Sequence, residues 1–170
     1  MLSVNGARLL ERINELGAIG KDEEGRRTRL AASDTEKQGR DKVVRWMEDA
    51  DLKVVVDRIG NIFGIWETEE NKDKKPLMIG SHIDTVINAG QYDGCLGVIG
   101  AIEVIRTLKE AGRQSVRPIV VCAFTNEEGV RYSPDMMGSL VYAGGLLVDE
   151  VLKTVGTDGT ILGEELKRIG

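Results

Sequence analysis

Histidine and cysteine are scarce in this sequence of 170 residues. His82 is the single histidine, and Cys95 and Cys122 are the two cysteines. The cysteines form no C-x-x-C pair, so we expect two buried, reduced thiols of the kind found in cytoplasmic proteins. Only one imidazole is therefore available to a functional site within these residues.

Long apolar runs and an excess of basic charge are also missing. No run approaches the roughly 20 residues that a membrane-spanning helix needs. The opening residues, MLSVNGARLLERINEL, lack the basic and apolar regions of a signal peptide. The net charge is −5, with both signs interleaved, which argues against a nucleic-acid partner. We expect a cytoplasmic protein that has neither nucleic acid nor membrane as a partner.

Hydrophobic periodicity divides the chain into helices and strands within one domain of globular composition, 41% hydrophobic and 30% charged. Ser33 followed by Glu36 has the pattern of a helix-capping box. Gly60-Asn61 between two β-branched runs predicts a hairpin or two closely linked strands. The predicted order is helix, helix, three strands, helix, strand and short helices, at residues 3–20, 33–52, 54–56, 62–66, 76–82, 97–112, 117–126 and 138–170.

The strands at 76–82 and 117–126 are apolar without the alternation of a strand that has one face in water. This pattern is typical of strands that are covered on both faces. Buried strands joined through helices predict an α/β domain with three layers, α/β/α, around a mixed but mostly parallel sheet.

Polar side chains follow these two strands where each is predicted to end. His82 and Asp84 follow LMIG, and Glu127 and Glu128 follow IVVCAFTN. Sites in open α/β sheets form at the carboxyl ends of strands, so these side chains should converge, with Asp93 folding back from the next loop. A lone histidine is usually structural, paired glutamates are usually solvated, and Asp-Gly is usually a turn. Their joint occurrence at two strand ends favours a site.

One imidazole among several carboxylates is a ligand set for a divalent metal such as zinc, manganese or cobalt. Crowded carboxylates without a cation would repel each other strongly. Two metal ions about 3.5–4 Å apart, bridged by one carboxylate, are a common hydrolytic arrangement. Asp84 lies two residues after His82, where its carboxylate can accept from the far imidazole nitrogen and fix the ring. One of the adjacent glutamates can then ligate while the other acts as general base.

The motifs GSHIDTV, GQYDGCLGVIGAIEVI, FTNEEGVRY and MMGS resemble those of the M20 family of di-metal hydrolases, in its amidase/hydantoinase/carbamoylase branch. That branch includes N-carbamoyl-L-amino-acid hydrolases, allantoate amidohydrolases and β-ureidopropionases, and the resemblance covers nearly the whole chain. It implies that His82 ligates the first metal, Asp93 bridges both metals and Glu128 ligates the second. It also implies that Glu127 is the general base and that Asp84 orients the histidine.

The resemblance further implies a zinc-exopeptidase-like fold, a cis peptide between Asp93 and Gly94, and a metal-activated water that hydrolyses a ureido or N-carbamoyl C–N bond. Two divalent ions are expected, zinc first, with manganese, cobalt or nickel as alternatives. Members of the family use three histidines and chains more than twice as long. Residues 1–170 are therefore expected to be the N-terminal part of the catalytic domain, without the lid and dimerisation domain.

The same resemblance implies a small-molecule ureido substrate and a homodimer for the full-length enzyme. The chain alone should hold its metals partly or not at all, have little activity, and self-associate through surface that the missing part would cover. Two alternatives stay open, an M20-type aminoacylase or metallopeptidase and a non-catalytic remnant of the fold. The motifs NEEGVRY and GQYDGCLGV favour the ureido hydrolase, whereas the single histidine favours the remnant.

Overall fold

A computed structural model describes residues 2–170. Its elements follow the predicted order: α1 (Gly6–Ala18), α2 (Asp34–Glu48), β1 (Lys53–Val56), β2 (Ile62–Trp66), β3 (Leu77–His82), α3 (Cys95–Glu110), β4 (Ile119–Phe124), α4 (Met137–Tyr142), α5 (Val148–Val151) and α6 (Leu162–Ile169). Within these described residues, none of the helices has the length and apolar character needed to cross a membrane.

The four strands form one sheet in the order β1-β2-β4-β3. β1 and β2 are an antiparallel hairpin, as predicted, and β2 also runs antiparallel to β4. β3 and β4 are parallel, with His82 opposite Phe124 at their carboxyl ends. The sheet is mixed, as predicted. Parallel strands were expected to predominate, but in the described residues β3 and β4 are the one parallel pair. The turn at Gly60-Asn61 explains why β2 runs antiparallel to β1, whereas the direction of β4 beside β2 is set by the later connections of the chain.

The amino terminus of α2 shows how its sequence starts a helix. Ser33 Oγ accepts a hydrogen bond from the Glu36 N–H at 3.2 Å, as the capping box predicts. The Glu36 carboxylate reaches one residue further back than the standard box and accepts from the Ala32 N–H at 2.5 Å. Val43 and Met47 then form the buried face of the helix.

Alternate residues of the central strands face opposite sides of the sheet. Ile62 and Val121 join the larger hydrophobic core together with side chains of α1, α2 and α3. Phe63 and Phe124 face the other side, where Tyr142 of α4 packs against them with ring centroids 5.7 and 5.9 Å apart. Helices therefore lie on both sides of the sheet, and the three-layer α/β/α prediction is confirmed.

β3 differs from its prediction as a strand that is covered on both faces. It pairs only with β4 in the part of the chain that the structure describes, and its first residue, Leu77, is 48% exposed. None of its six residues is fully buried, whereas β4 is buried along almost its whole length. An apolar strand sequence reports hydrophobicity and not the number of neighbouring strands, so it did not separate an edge strand from a central one.

A second, smaller core joins the C-terminal helices to loops of the domain. Its buried members are Ala31, Ala32, Ile59, Tyr132, Met137, Val151, Leu162 and Ile169. Arg131 anchors this region, because it donates to the Ala31 oxygen at 2.9 Å and to the carboxylates of Asp158 and Glu165 at 2.9 and 2.8 Å. These contacts tie the segment that follows Glu128 to α6.

Candidate metal centre

Parallel pairing brings the two predicted polar clusters to the same edge of the sheet. β3 ends at His82 and β4 ends at Phe124, directly opposite. The chain then turns at Asn126, whose φ is 55°, so Glu127 and Glu128 lie in a turn and not on a regular strand. The alternation that would send neighbouring side chains to opposite sides of a strand therefore does not apply to them.

The imidazole of His82 is oriented by the backbone of the next loop. Its Nδ1 lies 3.0 Å from the backbone oxygen of Asp84. A carbonyl oxygen can only accept, so Nδ1 carries a proton, and in the neutral ring Nε2 then keeps its lone pair. Nε2 lies 3.9 Å from Oδ1 of Asp93. The basic nitrogen of the ring therefore faces a carboxylate oxygen.

His82, Asp93 and Glu128 form the predicted ligand group. Each offers one ligand atom, and these atoms all lie within 4.8 Å of one another. Three atoms that each bond a tetrahedral zinc ion at about 2.0–2.2 Å are about 3.3–3.6 Å apart, so the most distant ligand atoms must approach each other by roughly 1 Å. Asp93 can make that adjustment, because its side chain is 76% exposed. One neutral imidazole and two carboxylates suit zinc, manganese or cobalt.

Gly94 sets the direction in which Asp93 faces the ring. Its φ of 63° and ψ of −53° accompany a 2.6 Å hydrogen bond from the Cys95 N–H to the Asp93 oxygen. This is a γ-turn, a strained conformation that glycine adopts most readily. A Cβ at Gly94 would lie 2.6 Å from Cε1 of His82. The glycine therefore allows both the turn and the close approach of the imidazole.

The loop after Glu128 is held by Asn126, whose Nδ2 donates to the Tyr132 oxygen at 2.8 Å and to the Pro134 oxygen at 3.2 Å. The cis peptide bond of the described residues lies in this loop, at Ser133-Pro134. The cis bond implied for Asp93-Gly94 by the family resemblance is not found there. That expectation is corrected, since the positive φ of the glycine already turns the chain.

Asp84 connects the two clusters and is only 2% exposed. Its carboxylate oxygens accept from the backbone N–H groups of Glu127 at 3.2 Å and Glu128 at 3.1 Å. The carboxylate lies 3.6 Å from Nδ1 of His82, so the nearer partner of the ring is the backbone oxygen of Asp84 and not its side chain. Burial, followed by the nearby charge of Glu36, raises the pKa of Asp84 to about 6.

Ser139 holds both carboxylate oxygens of Glu127. Oε1 accepts from the Ser139 N–H and Oε2 accepts from the Ser139 hydroxyl, each at 2.8 Å. Glu127 lies outside the group of ligand atoms, whereas Glu128 belongs to it. The structure thus gives the adjacent glutamates different surroundings. Sequence reasoning missed Ser139, although it stands in the MMGS motif, because no pattern in the motif says which side chain it contacts.

A family match and similar proteins of known name both indicate a family of hydrolases. Residues 61–158 match the family described as Peptidase family M28. The chain is 40% identical over 167 residues to an N-carbamoyl-L-amino acid amidohydrolase of Geobacillus stearothermophilus, covering 98% of this chain and 40% of the relative. It is 42% identical over 158 residues to a probable allantoate deiminase of Oryza sativa subsp. japonica, covering 92% and 32%.

Solved structures agree with these relatives. A hydantoinase/carbamoylase family amidase from Burkholderia ambifaria superposes with a TM-score of 0.96 at 38% identity, covering 100% of this chain and 42% of that one. The glutaminyl cyclase of Fimbriiglobus ruber, at a TM-score of 0.65 and 18% identity, covers 84% of this chain and 55% of its own, and shares the fold alone. This chain spans about 40% of the length of the N-carbamoyl relative. The match to more than half of the chain and the agreement of its relatives show that the chain belongs to the M28/M20-like hydrolases, in the branch of the hydantoinase/carbamoylase amidases.

Proposed function

We propose that these residues form one part of a metal-dependent amidohydrolase centre that cleaves a ureido or N-carbamoyl C–N bond. The observation that carries the proposal is the contrast between two groups at one sheet edge. His82, Asp93 and Glu128 present ligand atoms to a common point. Glu127 stands beside them with its carboxylate held by Ser139. A ligand group with a separate, oriented carboxylate is what hydrolysis by an activated water requires.

His82, Asp93 and Glu128 would hold the ion, with zinc the first choice and manganese, cobalt or nickel as alternatives. A pair of ions, for which Asp93 would be the shared ligand, would need more nitrogen ligands than the single histidine of this sequence supplies. We propose that residues 1–170 are the N-terminal part of the catalytic domain. The remaining histidines and the lid domain would then come from other residues of a longer chain. The 170 residues alone would bind metal weakly, lack turnover and self-associate.

A bound divalent cation would supply Lewis-acid activation of the attacking water and of the substrate carbonyl. Glu127 is the proposed base that takes the proton of the water. A carboxylate has about four acceptor positions, so the two hydrogen bonds from Ser139 leave room for that proton. The proton then passes from Glu127 to the leaving nitrogen as the C–N bond breaks. Asp84 would hold the imidazole in a fixed position relative to the turn that contains Glu127 and Glu128, because it contacts both.

The substrate class is proposed from the relatives. They include an N-carbamoyl-L-amino acid amidohydrolase, allantoate deiminases and a ureidoglycolate hydrolase. N-carbamoyl amino acids, allantoate and ureidoglycolate each carry a ureido group, so a small ureido compound is the proposed substrate of the complete enzyme. We also propose that the complete enzyme is a cytoplasmic homodimer. The competing peptidase or aminoacylase reaction draws support from the family match to Peptidase family M28.

The first test is the metal content of the purified 170-residue chain after incubation with zinc or manganese. The proposal expects about one weakly held ion, lost in His82→Ala and in Asp93→Ala. Gly90→Ala is a matched control in the same loop, because a Cβ there meets nothing within 4 Å. A chain that takes up no ion, or whose ion survives both substitutions, contradicts the proposed centre.

The reaction itself is tested in a chimaera in which this chain replaces the 167 residues that it matches in the Geobacillus relative. The relative supplies the other ligands, and the readout is ammonia release from N-carbamoyl amino acids. We expect turnover that Glu127→Gln abolishes while the metal content stays unchanged. Cleavage of N-acetyl amino acids instead would support the aminoacylase. A folded, metal-loaded chimaera with no turnover would support the non-catalytic remnant.

A further inference from the structure

Arg29 is a fully buried arginine that the proposed chemistry does not use; its exposure is 0%. Its Nε donates to the Ile83 oxygen at 2.8 Å, and its Nη2 contacts Cys95 Sγ at 3.2 Å. Its Nη1 donates to the oxygens of Leu16 and Ile19 at 3.1 and 3.0 Å. One guanidinium therefore joins the end of α1, the exit of β3 and the start of α3.

The residues that Arg29 contacts flank the proposed ligands. Ile83 directly follows His82, and Cys95 comes two residues after Asp93. We call residues 83–94 the ligand loop and residues 27–29 the arginine segment. Arg29 connects the two ends of the ligand loop through a single side chain. A shift of its guanidinium would therefore change the position of both ends at once.

The arginine segment also forms hydrogen bonds with the backbone of the ligand loop. The Thr85 N–H donates to the Arg29 oxygen at 2.9 Å, and the Arg29 N–H donates to Thr85 Oγ1 at 2.8 Å. The Ala89 N–H donates to the Arg27 oxygen at 2.8 Å, and Arg27 Nη1 returns a bond to the Ala89 oxygen at 3.1 Å. The Asn88 N–H donates to the Thr28 hydroxyl of the segment at 3.2 Å. The loop is thus supported at its middle as well as at its ends.

The charge of Arg29 is not explained by an ion pair. In residues 2–170 no carboxylate lies within salt-bridge distance of it, and its acceptors are three carbonyl oxygens and a thiol. A buried cation without an anion is costly. The carbonyl end of α1 compensates part of that cost, because the helix dipole is negative there. A guanidinium has several N–H donors in one rigid plane, so it can hold several segments of the chain in fixed relative positions.

We propose that the arginine segment positions the metal-binding residues, with Arg29 as a positioning residue that sets the separation of His82 and Asp93 without contacting the ion. The inference rests on the metal centre proposed above. It makes metal affinity depend on a side chain outside the ligand group. It also makes the ligand geometry, and not only the stability of the fold, depend on that side chain.

The experiment measures zinc affinity by competition with a chromophoric chelator, and the visible spectrum of the Co²⁺-loaded chain, for the whole 170-residue protein. Arg29→Lys keeps the charge but loses the fork, and Thr85→Val removes the acceptor of the Arg29 N–H. Both should weaken zinc binding, by about 10- to 100-fold for Arg29→Lys, as expected for a residue that orients ligands. Both should also change the Co²⁺ spectrum. Thr85→Ser keeps the hydroxyl and should restore the wild-type values.

Val43→Ala is the control for general loss of stability, because Val43 is fully buried in the core on α2. It should lower the urea midpoint and leave zinc affinity within about twofold of wild type. Each variant is measured on protein with a native circular dichroism spectrum. If Arg29→Lys does not fold, the Thr85→Val and Thr85→Ser pair decides.

A wild-type chain that binds neither zinc nor cobalt overturns the proposed metal centre and the inference with it. If wild type binds but Thr85→Val and a folded Arg29→Lys bind equally well, the inference alone is overturned. An equal loss of affinity in Val43→Ala also overturns it, because the effect is then one of stability.

Discussion

Replacing Gly94 by alanine should remove metal binding by displacing His82, although neither residue changes its charge. The new methyl group would lie 2.6 Å from Cε1 and 2.7 Å from Nδ1 of the imidazole. Such distances are well inside van der Waals contact, so the ring or the turn must move. Nδ1 is the atom that the Asp84 oxygen holds, and its displacement turns Nε2 away from Asp93.

Two separate costs add to the instability of this variant. A non-glycine residue in a γ-turn at a φ of 63° is strained by about 1–3 kcal/mol. The overlap with the imidazole costs about 1–3 kcal/mol more, as for an extra methyl group in a packed site. A total loss of roughly 2–6 kcal/mol is a large part of the 5–15 kcal/mol of a typical domain.

Urea unfolding and zinc titration of the same protein measure the two effects. Gly25→Ala is the control for backbone strain, because its φ is 80° and a Cβ there meets nothing within 4 Å. It should lose about 1–2 kcal/mol and keep wild-type zinc affinity. Gly90→Ala has neither problem and should match wild type. If Gly94→Ala is no less stable than Gly25→Ala and binds zinc normally, the packing of His82 against Gly94 is refuted.

Three further outcomes are expected. Hydrogen bonds from Arg168, and then from Arg131, lower the pKa of Glu165 from 4.5 to about 2. The ionised Glu165 therefore stabilises the fold fully above pH 4.5, and this contribution is lost as the pH falls toward 2. The urea midpoint should fall over this pH range in the wild-type chain and fall less in Glu165→Gln. Burial raises the pKa of the Cys122 thiol to about 11, so maleimide should label it only after unfolding, and fast labelling of native protein would contradict its burial. Gly100→Ala on α3 has free space for its methyl group and should raise stability by about 0.5–1 kcal/mol in urea unfolding, and a loss would mean an unseen contact.

Local features of the fold were predictable because neighbouring residues cause them. Ser33 caps α2 through a hydrogen bond that spans three residues, and Gly60-Asn61 reverses the chain within a short turn. The edge position of β3 was not predictable in this way. It depends on which strands meet it, and an apolar run such as PLMIG is compatible with a central or an edge position.

The candidate site likewise has features that the sequence predicts and features that depend on tertiary packing. The amino-acid order alone predicted the candidate chemistry: one imidazole and several carboxylates stand after two apolar strands, and a glycine follows Asp93. Strand ends carry such groups because the backbone there is released from the sheet. The ligand group of His82, Asp93 and Glu128 then required only that the two strands be parallel neighbours.

The packing of the chain settled which atoms of these residues face each other. The oxygen of Asp84 nearest the imidazole is the backbone oxygen, and Ser139 holds Glu127 across 12 residues. Arg29 reaches Ile83 across 54 residues. These contacts join segments that are separate in sequence, and they form only when helices and loops pack together. Residue types and spacing determine which groups are available, whereas three-dimensional packing determines their distances and orientations.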